Sequence, residues 1–168
     1  MAATNAKPSD IAAVTGITTV AGTAKGNVSL RAGTGNTHTL SIDKPITTTA
    51  GTTGTASGSV ALEAGGTITL TAGAGAGTIT TNSFGNAVAG DVFIHQVDGG
   101  VARTITLSNA INAKGGATGV AGAASDGGKV TVLNDNGAIL VDATVDVSKA
   151  AAGTNDGTIA LKATGNIT

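Results

Sequence analysis

Side chains that could carry catalysis are few in this sequence and widely spread. Its two histidines, His38 and His95, fall in or beside predicted strands, on the side facing away from the core. Asp135, Asp142 and Asp146 fall close together in one stretch. Two carboxylates can flank a glycosidic bond as acid and nucleophile, but Asp is also an ordinary solvated turn residue. We therefore predict that the protein is not an enzyme.

Metal-binding patterns are equally sparse. The chain has no cysteine and lacks the Gly-Gly-x-Gly-x-Asp nonapeptide that binds calcium in some repeat proteins. The nearest string, Asn134-Asp135-Asn136-Gly137, has calcium-type oxygen ligands, but these residue types are also common in turns. The glycine-rich run Gly73-Ala74-Gly75-Ala76-Gly77 lacks the helix and lysine of a nucleotide site. We predict no cofactor and no metal.

Charge and composition exclude several classes of protein. The 168 residues carry nine Lys and Arg against ten Asp and Glu, without a basic cluster, so we predict no nucleic-acid partner. No apolar run approaches the ~18–20 residues of a membrane span, so we predict no membrane insertion. Ala, Thr and Gly fill more than half of the chain, and the only aromatics are two Phe. The core must therefore be built from thin layers of Val, Ile and Leu.

A repeat runs through most of the chain. Each copy has a glycine, a small or polar residue, and two aliphatic residues separated by one position. The first aliphatic residues are 32, 32, 38 and 29 residues apart, and the copies are Gly26-Asn27-Val28-Ser29-Leu30, Gly58-Ser59-Val60-Ala61-Leu62, Gly90-Asp91-Val92-Phe93-Ile94, Gly128-Lys129-Val130-Thr131-Val132 and Gly157-Thr158-Ile159-Ala160-Leu161. Alternation with period two indicates half-buried strands.

Two further strands follow each first strand. The second begins at an aliphatic pair, and the third usually begins four residues after that pair ends. The predicted second pairs are Leu40/Ile42, Ile68/Leu70, Ile105/Leu107 and Ile139/Val141, with Ile167 starting another, and the third strands begin at Ile46, Ile79, Ile111 and Val145. A loop rich in Gly, Ala, Thr, Ser and Asn then leads to the next glycine.

Three short strands per unit predict an all-β fold, a right-handed, three-sided parallel β-helix (β-solenoid) with about five rungs of roughly 29–38 residues. We expect residues 1–25 to form an N-terminal segment with a partial rung and residues 26–168 a single parallel β-helix domain. Val28, Val60, Val92, Val130 and Ile159 should stack as one column of the core. A sandwich of short hairpins is the alternative, but Asn-Gly turn signals between strands are nearly absent.

The repeat resembles that of bacterial exported β-solenoids of the filamentous-haemagglutinin type, including two-partner-secretion adhesins. The resemblance covers nearly the whole chain from about Gly26. It rests on phrases such as Thr104-Ile105-Thr106-Leu107-Ser108-Asn109-Ala110-Ile111-Asn112-Ala113, followed by a Gly/Ala loop and Gly127-Gly128-Lys129-Val130-Thr131-Val132. It implies secretion across the outer membrane and a long fibrous stalk. The Asn-Pro-Asn motif of the family's secretion-signal domain is absent from this sequence.

Outward-facing residues supply the candidate surfaces. On the second strands, Thr39, Ser41, Thr67, Thr69, Thr104 and Thr106 should form a ranked hydroxyl array similar to the face of ice-binding solenoids. Thr is also simply a favourable residue for a solvated strand face. On the first strands, the outer column reads Arg31, Glu63, His95, Leu133 and Lys162. Phe93, Leu133 and Leu140 should point outward, either beneath the loop Gly115–Gly127 or at an interface.

We therefore expect a structural, non-enzymatic segment of an extracellular bacterial surface or adhesin-like fibre, whose receptor the sequence does not name. One alternative is a filament or surface-layer subunit that self-associates end to end through open strand edges. A further alternative is a solenoid that binds ice or another regular surface through its Thr ladder. The first residues lack the apolar core of a signal peptide, so the chain is either cytosolic or a mature or excised piece of something longer. The repeat and its resemblance to exported proteins favour the second interpretation.

Overall fold

The protein is built from short β-strands arranged along one axis. The computed structural model describes residues 2–4 (backbone only), 16–19, 26–50, 55–116 and 125–168. Within these ranges the strands are β1 (Ala2–Thr4), β2 (Ile17–Thr18), β3 (Val28–Arg31), β4 (Leu40–Ile42), β5 (Ile46–Thr47), β6 (Val60–Ala64), β7 (Ile68–Leu70), β8 (Ile79–Thr80), β9 (Val92–Gln96), β10 (Ile105–Leu107), β11 (Ile111–Asn112), β12 (Lys129–Asn134), β13 (Ile139–Val141), β14 (Val145–Asp146) and β15 (Thr158–Ala163).

The strands form three parallel sheets. Sheet 1 has the order β1-β3-β6-β9-β12-β15, sheet 2 the order β13-β10-β7-β4, and sheet 3 the order β14-β11-β8-β5-β2. The chain visits the sheets in turn, so β3, β4 and β5 make one complete rung and the following triplets make the next. These strands give a β-solenoid of about four turns, which confirms the predicted all-β, parallel, three-sided architecture.

Strands at either end add partial rungs. Ile17 pairs with Ile46, and Ile167 forms a bridge to Ile139. The right-handed coil, the exact count of about five rungs and the division between residues 25 and 26 stay predictions. In the described ranges there is no helix, and therefore none that is long and apolar enough to cross a membrane.

The core is a set of aliphatic columns running along the axis. The parallel registers align Val28 with Val60, Val60 with Val92, Val92 with Val130 and Val130 with Ile159, which confirms the predicted column. Buried and partly exposed residues alternate along β6 and β9, so one side of each strand faces inward. Each fully buried Val, Leu or Ile contributes about 1.5–3 kcal/mol through removal of apolar surface from water.

The repeat glycines are required by close contact between rungs. Glycine can adopt the left-handed conformations that tight corners require, and Gly33 and Gly77 have positive φ angles of 71° and 62°. Gly58 and Gly90 are not among the positive-φ glycines. A Cβ at either position would overlap the carbonyl oxygen of the glycine one rung earlier, Gly26 or Gly58. Glycine is therefore needed at this corner because one backbone passes directly over another.

Threonines close the loops at the same corner. Thr48 and Thr81 donate hydroxyl hydrogen bonds to the carbonyls of Gly58 (2.6 Å) and Gly90 (2.7 Å). In return, the N–H groups of these glycines donate to the Thr48 and Thr81 carbonyls at 3.0 and 2.8 Å. Both ends of each loop are therefore tied together at its base, so the loop can vary in length without disturbing the rung.

We expect Gly90→Ala to lower the free energy of unfolding by about 3 kcal/mol, because the added methyl group forces two backbones apart. The matched control is Gly100→Ala, at a glycine with open space around it and φ of 83°. There the left-handed backbone alone should cost about 1–2 kcal/mol. Denaturant unfolding followed by circular dichroism compares the two, and equal losses would contradict the close-contact explanation.

Candidate functional site

The predicted hydroxyl array lies on one side of the solenoid. Ser41, Thr69 and Thr106 are aligned in register on the outer side of sheet 2. They alternate with inward-facing residues of the same strands, such as Leu40 and Ile68, which are buried. Thr39, Thr67 and Thr104 form the neighbouring column immediately before these strands. The array is therefore assembled over three rungs, and its binding of ice or another regular surface stays a prediction.

The predicted apolar residues divide between two faces. Phe93 and Leu133 lie on adjacent strands of sheet 1, at outward, half-buried positions. Leu140 lies on sheet 2, in register with Thr106, where it ends the hydroxyl column. The structure therefore brings Phe93 and Leu133 to the same face and leaves Leu140 on another. Of the loop Gly115–Gly127, residues 117–124 lie outside the described ranges.

Charged side chains link neighbouring rungs on the outer face of sheet 1. The registers confirm the predicted column of Arg31, Glu63, His95, Leu133 and Lys162. Arg31 Nε lies 2.8 Å from Glu63 Oε1. Because this pair is largely exposed, it contributes only about 0.2–1 kcal/mol. His95 Nε2 lies 2.9 Å from Asp135 Oδ2 and connects the third complete rung to the fourth.

The three aspartates that lie close together in the sequence are separated by the fold. Asp135 follows β12 in sheet 1, Asp142 follows β13 in sheet 2, and Asp146 lies in β14 of sheet 3. Three residues close in sequence therefore belong to three sides of one rung, because each strand is only two to six residues long. Among the described residues, no three His, Cys, Asp or Glu side chains are grouped so that they could hold a metal ion.

Several carboxylates accept hydrogen bonds that hold turns. Hydrogen bonds from the Asn136 side chain and the Gly100 N–H lower the pKa of Asp98. The backbone N–H and side chain of Asn155 lower the pKa of Asp126. The Ser148 N–H does the same for the pKa of Asp146, which also lies 3.1 Å from Lys114 Nζ. These groups favour the ionised carboxylate and brace the corners of the solenoid.

The buried amide side chains of Gln96 and Asn134 were not anticipated from the sequence. Gln96 and Asn134 occupy inward positions at the ends of β9 and β12. Gln96 Nε2 donates to the Gly65 carbonyl at 3.0 Å, while its buried Oε1 has no hydrogen-bond partner. Asn134 Nδ2 donates to the carbonyls of Arg103 and Ala138. Their burial could have been predicted from the alignment of the rungs, because both residues occupy the inward position that Ala64 holds in an earlier rung.

A groove opens where sheet 1 turns toward sheet 2. It has a volume of about 390 Å³, and its walls combine two carboxylates, one ammonium group, one hydroxyl and an apolar patch, supplied by Asp98, Leu133, Asn134, Asp135, Lys162, Ala163 and Thr164. Asp135 and Leu133 also belong to the outer face that carries Phe93. Acidic, basic and apolar side chains therefore converge on this concave surface.

The fold and these surfaces define the chain as a parallel β-solenoid repeat protein. Comparison with protein-family models, with curated proteins and with solved structures finds no match.

Proposed function

We propose that the chain is a structural, non-enzymatic segment of an extracellular, adhesin-like fibre on a bacterial surface, of the filamentous-haemagglutinin and two-partner-secretion type. The observation that carries the proposal is the uninterrupted stacking of three parallel sheets along a single axis. Such a stack keeps interior backbone groups hydrogen-bonded while it extends by about 4.8 Å per rung. A repeat of this kind supplies length and rigidity.

The side chains support a scaffold function. Outer residues such as Arg31 and Glu63, or His95 and Asp135, contact one another across rungs. Loop residues at the glycine corner are tied at their base by Thr48 and Thr81. A rigid body whose loops are closed by hydrogen bonds at their base can present its surfaces at fixed spacing, as a surface fibre requires.

The proposal is tested by locating the protein on cells of its source organism. An antibody raised against the purified chain should label intact cells, because a surface fibre is accessible from outside. A cytoplasmic protein labelled in the same preparation is the control for cell integrity. Labelling that appears only after the cells are permeabilised would overturn the proposal.

A second candidate function is end-to-end assembly with another copy of the chain, and the outer edge of β15 favours it. Ile159 and Ile167 continue columns in which Val130 and Ile139 are fully buried, yet they are 46% and 47% exposed. A rung of a second copy, stacked both on β15 and on the segment around Ile167, would cover them, and β1 lies at the opposite edge of the sheet that contains β15. A further rung of a longer polypeptide would cover the same residues.

Negative-stain electron microscopy over a concentration series distinguishes these cases for the 168-residue chain. Assembly predicts fibres of uniform width that disappear in Ile159→Lys, because a charge would be buried in the junction. Val101→Lys is the matched control, since Val101 is similarly exposed (43%) but lies in a corner loop. Isolated short particles at every concentration would contradict assembly by this chain.

A further inference from the structure

The outer face of sheet 1 carries Phe93, one of only two phenylalanines in a sequence without Tyr or Trp. Phe93 lies at an outward position between buried Val92 and Ile94. Its neighbours in register are Ala61 and Thr131, both smaller than phenylalanine. The ring therefore rises above the adjacent side chains of its own column. It is half-buried, so part of the ring remains available for contact.

An imidazole held in place by a carboxylate lies beside this ring. The centroids of Phe93 and His95 are 5.7 Å apart, with an angle of 58° between the ring planes. His95 is fixed by its contact with Asp135 at 2.9 Å. Leu133 is aligned with His95 on the next strand. We call Phe93, His95, Leu133 and Asp135 the Phe93 platform.

The groove described above continues the Phe93 platform. Leu133 and Asp135 belong to both, while Asp98, Lys162 and Thr164 line only the groove. Asp98 is oriented by hydrogen bonds from the Gly100 N–H (2.7 Å) and Asn136 Nδ2 (3.0 Å). An apolar ring, a fixed imidazole–carboxylate pair and further oriented polar groups therefore lie along one surface.

The charges around this surface nearly balance. Carboxylates and cations are mixed on this face and in the groove, and the set comprises Glu63, Asp91, Asp98 and Asp135 against Arg31, Lys129 and Lys162. A sulfated or phosphorylated ligand would need clustered Arg and Lys. Carboxylate, ammonium and hydroxyl groups instead offer both acceptors and donors to a neutral ligand rich in hydroxyl groups.

We propose that the Phe93 platform and its groove bind a neutral saccharide. The apolar C–H face of a sugar ring packs on Phe93, and its hydroxyl groups donate to Asp135 and Asp98 and accept from Lys162. The inference rests on the proposed function, since it gives an adhesin-like fibre a class of ligand. It concerns binding only and involves no bond cleavage.

Saturation-transfer NMR and calorimetry with the purified chain test the inference, using cellohexaose, chitohexaose and mannohexaose as neutral probes and a heparin hexasaccharide as the anionic comparison. We expect binding of at least one neutral probe and a Kd at least tenfold higher in Phe93→Ala. Asp135→Asn should also raise Kd, because Asn keeps the shape but replaces an acceptor oxygen by a donor. Thr69→Ala, on the outer face of sheet 2, is the matched control and should leave Kd unchanged.

Two further results decide the interpretation. Phe93→Leu keeps an apolar side chain but lacks the aromatic ring, so it should weaken binding of the saccharide as Phe93→Ala does. If Phe93→Ala does not fold, Phe93→Leu alone decides whether the ring is required. No binding of any neutral probe at millimolar concentration, binding of heparin alone, or a Kd insensitive to Phe93→Leu would overturn the inference. Because binding is measured on purified protein, its failure is distinguishable from failure of surface labelling on cells.

Discussion

Direct stacking of each rung on the next is the constraint on which the rest of this structure depends. All named strand pairs are parallel, and equivalent residues meet equivalent residues in every sheet, as when Ile46 meets Ile79 and Ile79 meets Ile111. A narrow core can then be filled by Val, Ile and Leu, because each aliphatic column repeats a side chain of nearly the same volume. The same stacking leaves no room for a Cβ at Gly90, where two backbones pass in contact.

Much of the fold could be predicted because its signal is local. Alternation with period two identified the first strands, and regular spacing identified the second and third. Once the rungs were aligned, the contact of Arg31 with Glu63 followed from their equivalent positions. The separation of Asp135, Asp142 and Asp146 onto three sides also follows from the strand assignments, although proximity in sequence alone suggested a cluster.

Other features depend on contacts between rungs that no single repeat contains. Gln96 and Asn134 are polar residues at inward positions, and their burial is understandable only from the carbonyls of Gly65 and Arg103 that they reach. The groove beside Leu133 likewise uses residues from three successive rungs. Predicting a surface of this kind requires knowledge of the register between three strands, whereas predicting a single strand requires only the alternation of residues within it. Binding surfaces were for that reason harder to recognise than the architecture that carries them.

Parallel stacking in register is tested most directly by cysteine cross-linking, since the chain has no cysteine of its own. Ser41 and Thr69 are paired on adjacent rungs, about 4.8 Å apart, within the range that a disulfide spans. Ser41 and Thr106 are two rungs apart, about 9.6 Å, which is too far. On oxidation, Ser41→Cys/Thr69→Cys should form an intramolecular disulfide, and Ser41→Cys/Thr106→Cys should keep two free thiols. A disulfide in the second variant, or none in the first, would contradict the solenoid register.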